Sequence, residues 1–287
     1  MSIVKNLLAA FGLVIVVILL ISLMLSSGGH GRGDKVAVVK LQGVILDSSE
    51  IVENLDKYAK RKDVKAVVLR VDSPGGAVGP SQEIYSAVQR LRKSKTVVAS
   101  LGSVAASGGY YAAAATEQIV ANPGTITGSI GVIIEFINAS ELLDKVGIKG
   151  RVIKSGKFKD TGSPLRDLDA EETALIQSVV DDVNSQFINA VAVGRNKPVE
   201  EITAIADGRI MTGSKALSIG LIDKLGDLND AIELGASLAG IKGIPEVIYP
   251  PEKGAAFASL FGSVLSDNLR GYMSGMRIMY LIPTGVR

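Results

Sequence analysis

The chain has 287 residues, 47% of them hydrophobic, and its 31 basic and 29 acidic side chains leave a formal charge of +2. That length suffices for one large domain or two small ones. Because the basic and acidic residues are interleaved, the composition argues against an electrostatic nucleic-acid binder. The sequence has no cysteine and one histidine, His30, so no metal-ligand cluster is expected.

The N-terminal region predicts a membrane anchor. Residues 7–25 are 19 consecutive uncharged, largely apolar positions, and at ~1.5 Å per residue a helix of this length reaches ~28 Å, close to the hydrocarbon thickness of a bilayer. The weak charge bias from Lys5 favours residues 1–6 on the cytoplasmic side, which would put the rest of the chain outside the cell membrane. A cleaved signal peptide is the alternative, although no good Ala-x-Ala cleavage site follows the apolar run.

Residues 26–34 are rich in glycine and serine and predict a flexible tether. His30 lies inside this tether, so a catalytic role for it is not expected. The next region, residues 35–249, is predicted to be the folded domain.

The domain opens with alternating strand and helix signals. Three short runs dominated by Val, Leu and Ala predict buried parallel strands: Val36–Leu41, Ala66–Val71 and Thr96–Leu101. Between the last two, Ile84, Val88 and Leu91 recur with the spacing of one buried helix face. This order predicts an α/β fold with right-handed crossovers on a parallel sheet.

A long helix is predicted over residues 170–194. Asp169 is a suitable N-cap, and Glu171 and Glu172 suit the positive end of the helix dipole. Gly194 is expected to end the helix as a C-cap.

Residues 250–287 form a separate amphipathic tail. Pro250 and Pro251 precede a predicted apolar helix face between residues 257 and 269, and the apolar stretch Ile278–Pro283 follows. Three roles stay open for this tail: packing against its own or a neighbouring subunit, contact with the membrane surface, or occupation of a groove in the folded domain.

Ser107 is the most informative residue of the chain. It lies after a predicted strand, before a run of small residues, and its neighbours would let a substrate backbone approach closely. A serine nucleophile needs a group that takes its proton, and without a usable histidine the candidates are carboxylates and a neutral lysine. Lys159, in the run Lys-Ser-Gly-Lys-Phe-Lys-Asp at 154–160, is such a lysine. The N–H of Gly108, directly after the serine, is a natural donor to an oxyanion.

Four motifs together resemble one known family. They are Asp-Ser-Pro-Gly-Gly at 72–76, Ala-Ala-Ser-Gly-Gly-Tyr-Tyr at 105–111, Thr-Gly-Ser-Ile-Gly-Val at 127–132 and Lys-Ser-Gly-Lys-Phe-Lys-Asp at 154–160. In this order they are similar to the signal peptide peptidase A family, which are membrane-anchored serine/lysine proteases. The resemblance covers roughly residues 35–235.

The resemblance implies a Clp-protease/crotonase-like fold of repeated ββα and βαβ units and an endopeptidase that degrades remnant signal peptides and other short extended peptides. It assigns Ser107 as nucleophile, Lys159 as general base, the N–H groups of Gly76 and Gly108 as oxyanion hole, and Ser129 as the hydroxyl that orients the lysine. It also implies a homo-oligomer in which neighbouring subunits help to build the cleft, and no metal or organic cofactor.

Two other functions stay open at the level of sequence. A catalytically inactive peptide-binding scaffold could keep the groove without the chemistry. A crotonase-type acyl-CoA enzyme would share the fold and the paired backbone donors, but the Ser107 and Lys159 pair and the apolar leader argue against it.

Overall fold

The computed structural model describes residues 33–250 and 279–281. The predicted transmembrane helix and most of the tether and tail therefore lie outside the described residues. Within the described residues, no helix combines the length and the apolar character that a membrane crossing needs. The first strand begins at Lys35, one residue before its predicted start.

The described strands follow the chain in ten segments: β1 Lys35–Gln42, β2 Val64–Ser73, β3 Gly75–Ala77, β4 Thr96–Ala106, β5 Gln118–Ala121, β6 Ile126–Gly128, β7 Ile210–Thr212, β8 Lys224–Leu225, β9 Glu246–Ile248 and β10 Met279–Leu281. The helices in the same part of the chain are α1 Ser49–Lys60, α2 Val78–Arg92, α3 Gly108–Ala114, α4 Ser140–Lys145, α5 Ala170–Arg195, α6 Val199–Thr203, α7 Gly213–Ser218 and α8 Leu228–Leu238.

The main sheet is largely parallel, as the sequence predicts. Its strands run in the order β7, β6, β4, β2, β1, β9, and β5 branches from β4 to pair with β8. In register, Val36 lies beside Ala66, and Ala66 beside Thr96. Of the pairings in this sheet, the one between β6 and β7 is antiparallel. This parallel-rich α/β architecture fits a Clp-protease-like fold.

Apolar side chains cover both faces of the central strands. One face packs against α1, α2, α3 and α5, and its core includes Leu69, Leu101 and Phe187. The other face is covered by α8, through residues such as Ile232 over Val68. Strands buried on both faces must be apolar at successive positions, which explains the continuous Val, Leu and Ala runs.

The long helix α5 begins where predicted but ends differently. Asp169 caps it: its carboxylate accepts the N–H of Glu172, and the Glu172 carboxylate accepts the N–H of Asp169, a capping box. The predicted C-cap at Gly194 is wrong, because Asn196 ends the helix in the left-handed conformation. Gly194 lies inside the helix, where a Cβ would come within 2.0 Å of the Ala114 carbonyl oxygen, so this glycine permits close packing of α5 on α3.

Candidate active site

Ser107 stands at the junction of β4 and α3, in the N-cap position of the helix. Its backbone has φ 51° and ψ −121°, a conformation that side-chain-bearing residues rarely adopt. Its N–H donates to the Gly128 carbonyl over 2.8 Å, and its own carbonyl accepts the N–H of Tyr111. Local strain of this kind costs roughly 1–3 kcal/mol and persists where the surroundings enforce it, commonly at functional sites.

The Ser107 hydroxyl is buried and unused. The residue is 1% exposed, and its Oγ has no hydrogen-bond partner among the described residues. Because a buried hydroxyl without a partner costs free energy, such groups in folded proteins call for an explanation. Among the described residues, nothing occupies the hydroxyl, so it is available to a further group.

Gly76 lies in the short strand β3, next to Ile45. The Ile45 N–H donates to the Gly75 carbonyl over 2.9 Å, and the Ala77 N–H donates to the Ile45 carbonyl over 2.7 Å. Since backbone groups alternate in direction along a strand, the N–H and C=O of Gly76 point to the opposite edge. A Cβ on Gly76 would lie 2.1 Å from the Ile45 oxygen, so no other residue fits here.

Gly108 brings the two glycine turns together. A Cβ built on Gly108 would lie 3.3 Å from the Gly76 nitrogen and 2.4 Å from the Ser81 hydroxyl oxygen. Gly76 and Gly108, predicted as an oxyanion hole, are therefore neighbours in space, although they are 32 positions apart. The Ser73 hydroxyl accepts the N–H of Gly75 over 3.1 Å and helps to fix the β3 turn.

Ser129 lies beside the Ser107 turn. Gly128 pairs with Ala106 in the sheet, so Ser107 and Ser129 each follow a paired strand end. Ser129 is 6% exposed, has φ 51°, and donates its N–H to the Arg209 carbonyl over 2.8 Å. The structure thus brings together Ser107, Gly76, Gly108 and Ser129.

Lys159 is not part of this cluster within one chain. It lies in an exposed turn, where its N–H donates to the Gly156 carbonyl over 3.2 Å. The unpartnered Ser107 hydroxyl shows that the Lys159 ammonium does not bond to it here. The surrounding segment exposes nine large apolar side chains: Ile133, Ile137, Leu142, Val146, Ile148, Val152, Ile153, Phe158 and Leu165.

The chain's own strand β10 occupies the free edge of β3. The two strands pair antiparallel, with Tyr280 opposite Gly76 and Met279 opposite Ala77. This is the edge toward which the Gly76 N–H and C=O point, and it is where an extended peptide could add as a further strand. The pairing of β10 with β3 is packing of the tail against its own chain, which is one of the three roles left open for it.

Sequence reasoning missed the ion pairs that hold the Lys159 turn. Arg166 bonds to both Asp160 and Glu172. Its hydrogen bond lowers the pKa of Asp160, with help from Lys154, and it also lowers the pKa of Glu172 to about 2, together with the Asp169 N–H. The Asp169 and Glu172 capping box could be predicted from the sequence. Arg166 lies six positions from both Asp160 and Glu172, and this spacing across a turn does not predict contact.

Comparisons with known proteins match the chain to two protease family models. The model of peptidase family S49 matches residues 89–242, and the Clp protease model matches residues 37–125. A Synechocystis protein is 46% identical to this chain over 208 residues, which are 72% of this chain and 75% of that protein. Its name describes it provisionally as a protease.

Two longer relatives are also similar. The chloroplastic serine protease SPPA of Arabidopsis thaliana is 33% identical over 75% of this chain and 34% of its own length. Protease 4 of Salmonella typhi is 36% identical over 73% of this chain and 35% of its own length. The chain therefore spans about a third of these two relatives. With a family match over more than half of its residues, the chain belongs to peptidase family S49.

Proposed function

We propose that this chain is a membrane-anchored serine endopeptidase in which Ser107 and Lys159 form the catalytic dyad, and that its substrates are remnant signal peptides. The observation that carries the proposal is the buried, unpartnered Ser107 hydroxyl, held at φ 51° beside the glycines at positions 76 and 108. Membership of a peptidase family supports hydrolysis of peptide bonds.

The proposed reaction is acyl transfer followed by hydrolysis. The neutral amine of Lys159 accepts the Ser107 proton as Oγ attacks the substrate carbonyl, and the N–H groups of Gly76 and Gly108 bind the oxyanion. The protonated lysine then donates that proton to the leaving amine. A water molecule, activated by the same lysine, releases the acyl group and restores the serine.

Lys159 reaches Ser107 from a neighbouring copy of the chain in this proposal. Two observations support a homo-oligomer: the Ser107 hydroxyl has no partner within residues 33–250 and 279–281, and the Lys159 segment presents many exposed apolar side chains. Burial of that segment against another copy would give the lysine the apolar surroundings that favour a neutral amine. Residues 7–25 would hold the assembly in the membrane, with residues 35–249 outside and residues 1–6 in the cytoplasm.

An extended peptide would bind along β3. The outward-facing C=O of Gly76 would accept a ladder hydrogen bond from a strand of any sequence, and the Gly76 N–H is left for the oxyanion. Such a substrate strand would take the place that β10 holds on this edge. A released signal peptide, which is short and apolar, suits such a backbone-directed groove.

The test uses the full-length chain with a synthetic signal peptide and a fluorophosphonate. Ser107→Ala and Lys159→Ala should each lower peptide hydrolysis by several orders of magnitude, and the double variant should be little worse because the two groups act as one unit. The fluorophosphonate should label Ser107 in the wild type. Near-normal hydrolysis by Lys159→Ala would exclude the dyad, and absence of labelling would favour the inactive scaffold.

A further inference from the structure

The turn that carries Lys159 has little regular structure of its own. Residues 154–163 contain turns and bends, and Lys159 itself is exposed. A catalytic group must stay within ~0.5 Å of its productive position, which usually requires support from neighbouring residues. The side chains that hold this turn are therefore candidates for a role in catalysis.

Arg166 makes the densest set of contacts in this region. Its Nε donates to Asp160 Oδ2 over 3.1 Å, and its Nη2 donates to Asp160 Oδ1 over 2.8 Å. On the other side, Nη1 donates to Glu172 Oε2 over 2.7 Å. A guanidinium is a rigid planar fork, so two bonds to one carboxylate fix direction as well as distance. Asp160 is the residue directly after Lys159.

Glu172 provides the fixed end of this connection. It belongs to the capping box of α5, where its N–H donates to Asp169 Oδ1 over 2.8 Å and its carboxylate accepts the Asp169 N–H over 3.0 Å. The Thr161 hydroxyl donates to Glu172 Oε1 over 3.0 Å. Both residues that follow Lys159 are thus linked to the first turn of the longest described helix.

Burial makes the Asp160, Arg166 and Glu172 contacts stronger than an ordinary surface ion pair. Glu172 is 1% exposed, and a buried carboxylate that loses its cation is strongly unfavourable. The hydrogen bond from Arg166 is the main cause that lowers the pKa of Glu172 to about 2. Both carboxylates therefore stay charged at neutral pH, and the connection persists under working conditions.

On this geometry, and resting on the proposed Ser107/Lys159 dyad, we infer that Arg166 is a positioning residue: by binding Asp160 and Glu172 at once it sets the place of the Lys159 amine. It does not touch the substrate or the reacting atoms. Its effect on catalysis acts through the orientation of the turn.

The same turn offers a matched control. Lys157 forms an ion pair with Glu171, one residue before Glu172, but both side chains are more than half exposed, at 56% and 63%. Exposed pairs of this kind contribute little to stability. Removing the Lys157 charge therefore alters the charge of the turn and leaves its buried anchor intact.

The experiment measures labelling of Ser107 by a fluorophosphonate across pH, in the full-length chain, for Arg166→Lys, Asp160→Asn and the control Lys157→Gln. The highest rate of wild-type labelling across pH, its plateau, is the reference for each variant. Arg166→Lys keeps the charge but loses the fork, and we expect its plateau to fall on the order of 10- to 100-fold. Asp160→Asn should fall similarly, because it removes the carboxylate charge that Arg166 and Lys154 both bind, while Glu172 keeps its arginine.

Thermal unfolding of each variant separates positioning from loss of fold. The inference predicts that Asp160→Asn keeps a cooperative transition near that of the wild type while its plateau falls, and that Lys157→Gln changes neither. The inference is wrong if Arg166→Lys and Asp160→Asn both label with plateaus within about twofold of the control, because misplacement of a base costs far more than twofold. If Lys159→Ala labels like the wild type, the proposed dyad fails instead, so the two failures are distinguishable.

Discussion

The nucleophile and its proposed base are held in two contrasting ways. Ser107, Gly108 and Ser129 are each less than 10% exposed, and they follow strand ends that are paired in the central sheet. Lys159 lies in an exposed turn between α4 and α5, where the described part of the chain leaves apolar side chains such as Ile153 uncovered, at 94% exposure. The core fixes the first group, and polar contacts fix the second.

This contrast teaches that the two halves of the site have different requirements. Close packing alone can hold a serine at φ 51° and two glycine turns in contact, because protein interiors are dense and resist displacement. A base on an exposed segment needs both a local anchor and a second surface that covers it.

The largest effect is expected from separating the two halves on different chains. Ser107→Ala and Lys159→Ala chains should each be inactive alone, yet co-expression should restore hydrolysis if the lysine comes from a neighbour. In a random mixture about a quarter of head-to-tail contacts would pair an intact serine with an intact lysine. Peptide hydrolysis by affinity-purified mixed assemblies checks this, and mixtures as inactive as the single variants would place the dyad within one chain.

The buried half should be the more sensitive to a single methyl group. Gly108→Ala puts a Cβ 2.4 Å from the Ser81 hydroxyl oxygen and 3.3 Å from the Gly76 nitrogen. We expect kcat/KM to fall on the order of 100-fold, as for loss of one oxyanion donor. Adding Ser81→Ala removes the closer contact and should recover part of the loss in peptide assays.

Gly79→Ala is the matched control for that substitution. It lies in the first turn of α2, and a Cβ there would meet nothing within 4 Å. Its kcat/KM should stay within about twofold of the wild type, as is usual away from buried features. Equal losses in Gly79→Ala and Gly108→Ala would show that steric contact at the two turns is not the cause.

The buried half could be predicted from the sequence better than the exposed half. Strands such as Thr96–Leu101 are continuous apolar runs, so their burial and parallel pairing follow from composition, and the Ser107 turn follows from its place after one of them. The strand β4 continues to Ala106, five residues beyond the predicted end. The sequence did not indicate this extension because Gly102 and Ser103 interrupt the apolar pattern. The prediction of Gly194 as a helix cap is wrong because the sequence does not distinguish a glycine that ends a helix from a glycine that allows two helices to pack closely.

The exposed half depends on contacts that leave no periodic signal. The resemblance selected Lys159 from three lysines in one run, but spacing could not show that Arg166 would turn back to Asp160 and forward to Glu172. Nor could it show that β10 pairs with β3, since this contact joins segments some 200 positions apart. Such pairings are set by the folded chain as a whole.

A smaller effect is expected from the strand that lies on the groove. Because β10 occupies the β3 edge, the substitution Tyr280→Pro removes the N–H that pairs with Gly76 and should weaken this contact. Tethered competitors act through a high local concentration, so we expect KM for short peptides to fall several-fold with kcat unchanged. A chain that ends at residue 278 should behave alike, and an unchanged KM in both would mean that β10 does not compete with substrate.

The smallest effect is expected from lowering the pH, which should loosen the Lys159 turn before it loosens the Ser107 turn. The pKa of Glu172 is lowered from 4.5 to about 2 by Arg166 and the Asp169 N–H, and Arg166 also lowers the pKa of Asp160. A carboxylate with a lowered pKa stabilises the fold above its unfolded pKa, and this contribution is lost as pH falls from about 4.5 toward 2.

Both carboxylates hold the Lys159 turn, whereas apolar packing holds the Ser107 turn. Between about pH 5 and pH 3, the protection of amide hydrogens from exchange, taken relative to the intrinsic rate at each pH, should therefore fall at residues 154–163 before it falls in α3. Simultaneous loss of protection in both regions would mean that the turn and the sheet unfold as one unit.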